Sequence, residues 1–309
     1  MSEPRVIAIV GSTASGKSDL AHHLARHYGD VEILCVDSMT VYRGMDIGTA
    51  KPTRAQRDEV PYHLLDLVAS HEPFTVAEFQ RVARATLDDI ASRGRRALLV
   101  GGTGLYSRAV IDNFDIPGEF PEIRERLNSE AALSLASLYE RVVQLDPTAA
   151  AKMEPTNVRR IVRALEVIEG TGQPFSSFGE EMRSYFDTPI PQVGLAPPLE
   201  AIDEQIALRL DAWLGAGLIE EIEALRTNPL GWSQTAAQAV GYKEFLPYLE
   251  GSSTLEACRD AAVLATRQLV RRQRRWFRRD PRITWFDEME SAARHVATWW
   301  GAPSSGVGN

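Results

Sequence analysis

The stretch VIAIVGSTASGKS, residues 6–18, decides the fold. Five apolar residues read as a buried strand. Gly11, four residues, then Gly16, Lys17 and Ser18 follow, and Leu20, Leu24 and Tyr28 lie at helical spacing over Lys17–Tyr28. A strand, a glycine-bearing turn and a helix in that order make a phosphate cradle. The glycines permit the tight turn, successive backbone N–H groups from Gly11, Ser12, Thr13, Ala14, Ser15 and Gly16 converge on phosphate oxygens, and the helix N-terminus adds partial positive charge. Lys17 supplies a point charge and Ser18 a hydroxyl for a phosphate-bound Mg²⁺. The spacing specifies phosphate. Whose phosphate it is, ATP's or another's, the loop leaves open.

Working outward, EILCV (32–36) and ALLV (97–100) read as two more strands, with a helix over Thr75–Arg93 between them. The alternation of strand and helix predicts an α/β fold, a P-loop-type parallel sheet. Asp37 ends the second strand, at the carboxyl edge where open α/β sheets bind ligands. It can ligate Mg²⁺, as in a kinase, or act as a general base. GGTGLY (101–106) follows the third strand; it lacks the third glycine of a dinucleotide fingerprint, but its small residues allow close approach to a ligand, and Thr103 offers a hydroxyl there.

From about Phe114 to Gly179 no strand signal appears, and Leu133–Leu145 and Asn157–Glu169 are the clearest helices. The expected division is a first core segment at 1–113, a helical insertion at 114–190, a return to the core at 191–290 and a flexible tail at 291–309. PQVGLAPP (191–198) and ITWF (283–286) are the returning strands, with helices near Leu199–Trp213 and Leu218–Leu225 between them. A long helix over Thr254–Arg279 opens on a capping box of Ser253 and Glu256 and stops before Pro281. The last residues, APSSGVGN, read as disordered.

The 309 residues carry a net charge of −8, which alone argues against a nucleic-acid partner. Its distribution does not: between Arg267 and Arg282 stand eight arginines and one acid, Asp280. In ATRQLVRRQRRWFRR (265–279), Arg267, Arg271, Arg274 and Arg278 share one helix face, which points to phosphate or RNA contact. Leu269 with Trp276 and Val270 with Phe277 form an apolar stripe. Arg159, Arg160 and Arg163 in NVRRIVRALEV make a smaller cluster that is as well explained by a solvated helix face. Two cysteines, Cys35 and Cys258, show no metal or disulfide spacing, and the six histidines show no ligand arrangement. His22, His23 and His27 read as surface residues, and Trp299 and Trp300 as packing. No apolar run approaches the roughly 20 residues needed to span a bilayer, and MSEPRVIAIVG lacks a signal-peptide pattern, so a cytoplasmic protein with no membrane partner is expected.

Taken in order, the phosphate loop, DSMTVYRGMDIGTAKP (37–52), VGGTGLY, RRIVRALEV, GYKEFLPYLEG and TRQLVRRQRRWFRRDP resemble the tRNA dimethylallyltransferase family over roughly residues 5–287. The resemblance implies that the loop holds the diphosphate of dimethylallyl diphosphate and that the helical insertion grips the anticodon stem of tRNA. It implies Asp37 as general base at N6 of the target adenine and Thr103 in the reaction channel. Lys17, Ser18 with Mg²⁺ and Arg267 would stabilise the departing diphosphate. Asp37, Ser38, Met39, Thr40, Thr103, Arg124, Arg159, Arg160, Ile161, Val162 and Arg163 would contact tRNA, joined by Arg271 and Arg274 of the arginine helix. Two positions depart from the family pattern: Thr40 replaces a usual glutamine, and Ser12 stands where proline is common. A relative that prenylates free adenosine nucleotides would share the core, but the insertion of about 65 residues counts against it. A small-molecule kinase would leave the arginine helix without an obvious role. A monomer is expected, since tRNA supplies the large interface.

Overall fold

A computed structural model describes residues 3–179 and 184–301. The chain forms two compact units, one from Met1–Ile111 with Asp187–Asn309, the other from Asp112–Phe186.

The first unit is built on a six-stranded sheet: β1 (Val6–Gly11), β2 (Val31–Cys35), β3 (Tyr62–His63), β4 (Arg96–Gly101), β5 (Gln192–Leu195) and β6 (Ile283–Phe286). The order is β3-β2-β4-β1-β5-β6, every pair parallel. β1 is central, with Val6 opposite Ala97 on one side and Ala8 opposite Gln192 on the other. A parallel sheet is covered on both faces, so its strands are apolar throughout and alternate residues face different cores. Ile7, Ile9, Leu98 and Val100 pack with Leu20, Leu24, Val296 and Trp300, whereas Ala8, Val10, Leu34 and Leu99 pack with Phe79, Val110 and Ile206.

The helices are α1 (Lys17–Tyr28), α2 (Arg54–Glu59), α3 (Val76–Ser92), α4 (Gly104–Asp112), α5 (Pro121–Leu145), α6 (Pro147–Ala150), α7 (Val158–Thr171), α8 (Leu199–Gly215), α9 (Leu218–Arg226), α10 (Leu246–Leu249), α11 (Leu255–Phe277) and α12 (Met289–Trp300). Capping boxes start α2 at Thr53 and α3 at Thr75, where each threonine accepts from an N–H three residues on. The capping box expected at Ser253 and Glu256 does not form. Thr254 caps α11 by accepting from the Ala257 N–H, which shifts the start by one residue.

The tail requires a larger correction. Residues 289–300, mostly assigned to a flexible tail, form α12, with Ala292, Val296 and Trp300 buried every fourth residue against the sheet. Trp300 Nε1 donates to Pro4 O at 2.7 Å, its ring meets Tyr28 edge-on at 5.3 Å, and the Arg96 guanidinium lies 4.7 Å from both ring centroids. Burial of a tryptophan and a valine, each worth roughly 1.5–3 kcal/mol or more, suffices to dock so short a helix. Residues 302–309, read as disordered, lie outside the described residues.

The second unit is helical. α5, with a break at Ser134, packs on α6 and α7 around Leu127, Leu138, Val142, Ile161, Val162 and Leu165. The family resemblance places Ile161 and Val162 at tRNA, but both side chains face this core, at 0% and 3% exposure, and are not available to a partner. Their place is set by helical periodicity, which puts them opposite Arg159 and Arg160. The fully buried Glu166 accepts from the Phe120 N–H at 2.8 Å and from Arg124 Nε at 2.9 Å, and pairs with Arg163 at 3.0 Å. Burial opposes its charge, but these donors hold its carboxyl below the ordinary range.

Candidate active site

The phosphate loop forms as its spacing demands. At Gly11 (φ +157°) an added Cβ would lie 2.7 Å from Leu195 O and 2.8 Å from Ser15 Oγ, so only glycine fits. Ala14 (φ 59°) and Gly16 (φ 85°) adopt left-handed conformations, and such alternation turns successive N–H groups to one side. Ser12 and Ser15 hydroxyls are buried without hydrogen-bond partners. Lys17 Nζ donates to Ser12 O at 3.1 Å. Burial pushes the Lys17 ammonium down to about 8 from its ordinary 10.5; Arg209 lowers it further, and Asp37 opposes the shift.

Two residues from distant elements reach this loop. Arg209, on α8, donates from Nη2 to Thr13 Oγ1 at 2.6 Å while its guanidinium lies 4.7 Å from the Trp213 ring centroid. Gln273, on α11, accepts the Thr13 N–H at 2.9 Å and donates from Nε2 to Gly102 O at 2.9 Å. No motif marks either residue: Arg209 stands alone on its helix, and Gln273 is hidden among the arginines of 271–275. Arg267, expected at the diphosphate, does not line the cavity of about 590 Å³ above the loop; Arg209 does. Instead Arg267 Nε stands 3.5 Å from Asp203 Oδ2, the carboxylate that also lies 4.0 Å from Arg271. Arg274 donates to Pro197 O, and Arg271 and Arg278 are exposed.

Asp37 stands where β2 gives out. Its Oδ1 accepts the Met39 N–H at 2.8 Å and its Oδ2 accepts from Thr103 Oγ1 at 3.4 Å, while Thr103 Oγ1 accepts the Ser38 N–H at 3.3 Å. Asp37, Thr40, Lys17, Ser18, Arg209 and Gln273 all line the same cavity. Thr40 is 6% exposed, and its hydroxyl has no hydrogen-bond partner. Cys35 lines the wall, but burial, with Asp37 nearby, pushes its thiol up to about 12, so it stays protonated and is no nucleophile at neutral pH.

The segment 37–52, irregular by its glycines, is held from outside. Glu221 on α9 accepts the N–H groups of Asp46, Ile47 and Gly48 at 2.9, 2.8 and 3.3 Å and the Tyr242 hydroxyl at 2.7 Å. Lys51, its side chain 1% exposed, bonds Tyr42 O, Asp46 and Asp66 at 2.6, 2.7 and 2.5 Å. His22 corrects the surface reading of its helix: it is bonded to the Tyr62 hydroxyl at 2.9 Å and to Glu59 at 3.1 Å, while His23 and His27 are exposed.

A phosphate loop with a carboxylate lining the same cavity, and a helical segment inserted in the chain between β4 and β5, define a group-transfer enzyme of the P-loop type. The match to the IPP transferase family model over residues 40–280 makes the assignment specific: the chain belongs to that family. It is 50% identical over 287 residues to the tRNA dimethylallyltransferase of Salinispora arenicola, covering 93% of this chain and 83% of that one. It is 48% identical over 285 residues to that of Thermobifida fusca, covering 91% and 89%. Among solved structures, the Bacillus halodurans tRNA isopentenylpyrophosphate transferase superposes with a TM-score of 0.68 at 35% identity, over 96% of this chain and 97% of that one. A eukaryotic dimethylallyltransferase acting on tRNA gives a TM-score of 0.76 at 26% identity, over 96% and 76%.

Proposed function

We propose that the protein transfers the dimethylallyl group of dimethylallyl diphosphate to N6 of the adenosine 3′-adjacent to the anticodon of tRNA, releasing diphosphate. The observation that carries this reading is the cavity that holds Asp37 and the phosphate loop together, so that a base and a leaving-group cradle face one another. The relatives' shared name supplies the acceptor class.

The chemistry follows from the residue types. The C1–O bond of the donor breaks as the N6–C1 bond forms. Negative charge grows on the diphosphate, where the loop amides, Lys17 and Arg209 stabilise it. The exocyclic amine is a weak nucleophile while its lone pair is delocalised, and Asp37 accepts the proton it sheds. Thr103 orients Asp37 through its hydroxyl. Ser18, exposed in the cavity, suits a cation shared with the donor's phosphates. Among the described residues no group of three or more His, Cys, Asp or Glu side chains is arranged to hold a metal, so the diphosphate itself would bring most of the ligands. Mg²⁺ bound there would neutralise charge on the leaving group. The target base leaves its stack at a cost of a few kcal/mol. Contacts from exposed arginines such as Arg159, Arg160 and Arg271 to the phosphates of the anticodon arm offset that cost. The enzyme acts as a monomer in the cytoplasm; among the described residues no helix is long and apolar enough to cross a membrane.

The test is a set of parallel incubations with Mg²⁺. Label passing from dimethylallyl diphosphate into unmodified tRNA supports the reading. Label passing instead into free AMP supports a nucleotide prenyltransferase, and consumption of labelled ATP with no prenyl transfer a kinase.

A further inference from the structure

Gln273 bridges the two loops flanking the cavity. Its Oε1 accepts the Thr13 N–H and its Nε2 donates to Gly102 O, both at 2.9 Å. A backbone donor on one side and a backbone acceptor on the other fix which way the amide faces. Thr13 lies in the phosphate loop after β1, and Gly102 in the turn after β4, one residue before Thr103. The same turn is packed one helical step further along α11, where an added Cβ on Gly104 would lie 2.0 Å from the Trp276 ring. Residues 273 and 276 share a face, so α11 grips the 101–104 turn at two points. At Gly102 itself a Cβ would lie 2.9 Å from Gln273 Nε2 and 3.5 Å from Lys17 Nζ, so the glycine makes room for the amide.

We propose that Gln273 is a positioning residue that sets the distance between the leaving-group loop and the Thr103–Asp37 pair, and thereby the alignment of donor and acceptor. This rests on the prenyl-transfer reading above. Two consequences set it apart from a diphosphate ligand. The Thr13 N–H is taken by Gln273, so the cradle works through the remaining amides of the loop, with Lys17 and Arg209. Loss of the bridge therefore leaves diphosphate binding intact while the two halves of the site drift apart, and near-attack geometry is sensitive to shifts of about 1 Å.

The experiment uses the full-length chain and the variants Gln273→Met and Gly102→Ala. Gln273→Met removes both hydrogen bonds at similar volume. Gly102→Ala displaces the amide from the other side and serves should a Gln273 variant fail to fold. Each is assayed for kcat with dimethylallyl diphosphate and unmodified tRNA, and for Mg²⁺–inorganic diphosphate affinity by calorimetry. The account expects kcat to fall about tenfold or more in folded variants while the diphosphate Kd stays within about threefold of wild type. A kcat within about twofold of wild type overturns it, as does a loss of diphosphate affinity that matches the loss of kcat. A wild type that transfers no prenyl group would sink the functional reading and this inference together; an active wild type with undiminished variants would sink the inference alone.

Discussion

Thr103 Oγ1 lies 3.4 Å from Asp37 Oδ2 and 3.3 Å from the Ser38 nitrogen, so one hydroxyl ties the turn after β4 to the end of β2. The hydroxyl accepts from the backbone and donates to the carboxylate, which orients Asp37 toward the cavity without neutralising it. Asp37→Asn should lower kcat by about 10²-fold or more, the usual scale for a lost general base, with tRNA affinity unchanged. Thr103→Ser should retain most activity and Thr103→Val should not. Single-turnover rates beside filter-binding affinities check both; equal losses in rate and affinity would contradict the roles given.

Lys17 makes opposite demands on stability and function. Its pKa of about 8 lies below the ordinary 10.5, so folding disfavours the charged form. Between those values the unfolded chain binds more protons, and this group's contribution makes stability rise with pH. The cost is fully present below pH 8 and absent above 10.5. Lys17→Met should therefore raise the melting temperature of the ligand-free protein at pH 7, lose that advantage above pH 10.5, and abolish diphosphate binding. In the wild type, diphosphate binding should take up protons just above pH 8, read by calorimetry in buffers of different ionisation enthalpy.

Arg209 is placed to meet the same anion. Removing a charged hydrogen-bond donor costs about 1.5–3 kcal/mol, so Arg209→Ala should raise the donor KM by roughly ten- to a hundredfold. Arg267→Ala, whose side chain lies by Asp203 and outside the cavity, should change it little. Steady-state kinetics of the two variants side by side decide between them.

Glu221 holds three successive N–H groups and a tyrosine hydroxyl. Glu221→Ala orphans all four donors and should destabilise the fold by about 2–4 kcal/mol, measured by urea unfolding. Tyr242→Phe removes one donor only and should cost about 1 kcal/mol.

In the helical unit a pair of arginines and the isoleucine beside it should behave oppositely. Arg159→Ala and Arg160→Ala should each reduce the salt dependence of tRNA binding by about one unit of log–log slope and leave the melting temperature alone. Ile161→Ala should cost about 2–5 kcal/mol of stability through the cavity it leaves in that core, and change the slope little.

Much of this was legible in the sequence because its signals are local. The glycines, lysine and serine of 11–18 specify their own turn, short apolar runs between helical patterns mark β1, β2 and β4, and PQVGLAPP and ITWF hold β5 and β6. Strand β3 escaped notice because two residues, Tyr62 and His63, carry no periodicity. Helix α12 was read as tail because its apolar stripe of Ala292, Val296 and Trp300 is thin and begins with an alanine. Arg209, Gln273 and Glu221 were missed for another reason. Each acts on a loop between 171 and 260 positions away, through one side chain, and no spacing rule encodes such a contact. Ile161 and Val162 went wrong in the opposite sense, because a contiguous motif was carried over whole although a helix alternates its faces.

The most direct test digests tRNA after incubation with the enzyme, Mg²⁺ and dimethylallyl diphosphate, and identifies the altered nucleoside and its position by mass spectrometry. The account predicts a single dimethylallyl group on N6 of the adenosine 3′-adjacent to the anticodon, formed by the wild type and not by Asp37→Asn. Modification at another position or atom, or undiminished product from Asp37→Asn, would contradict it.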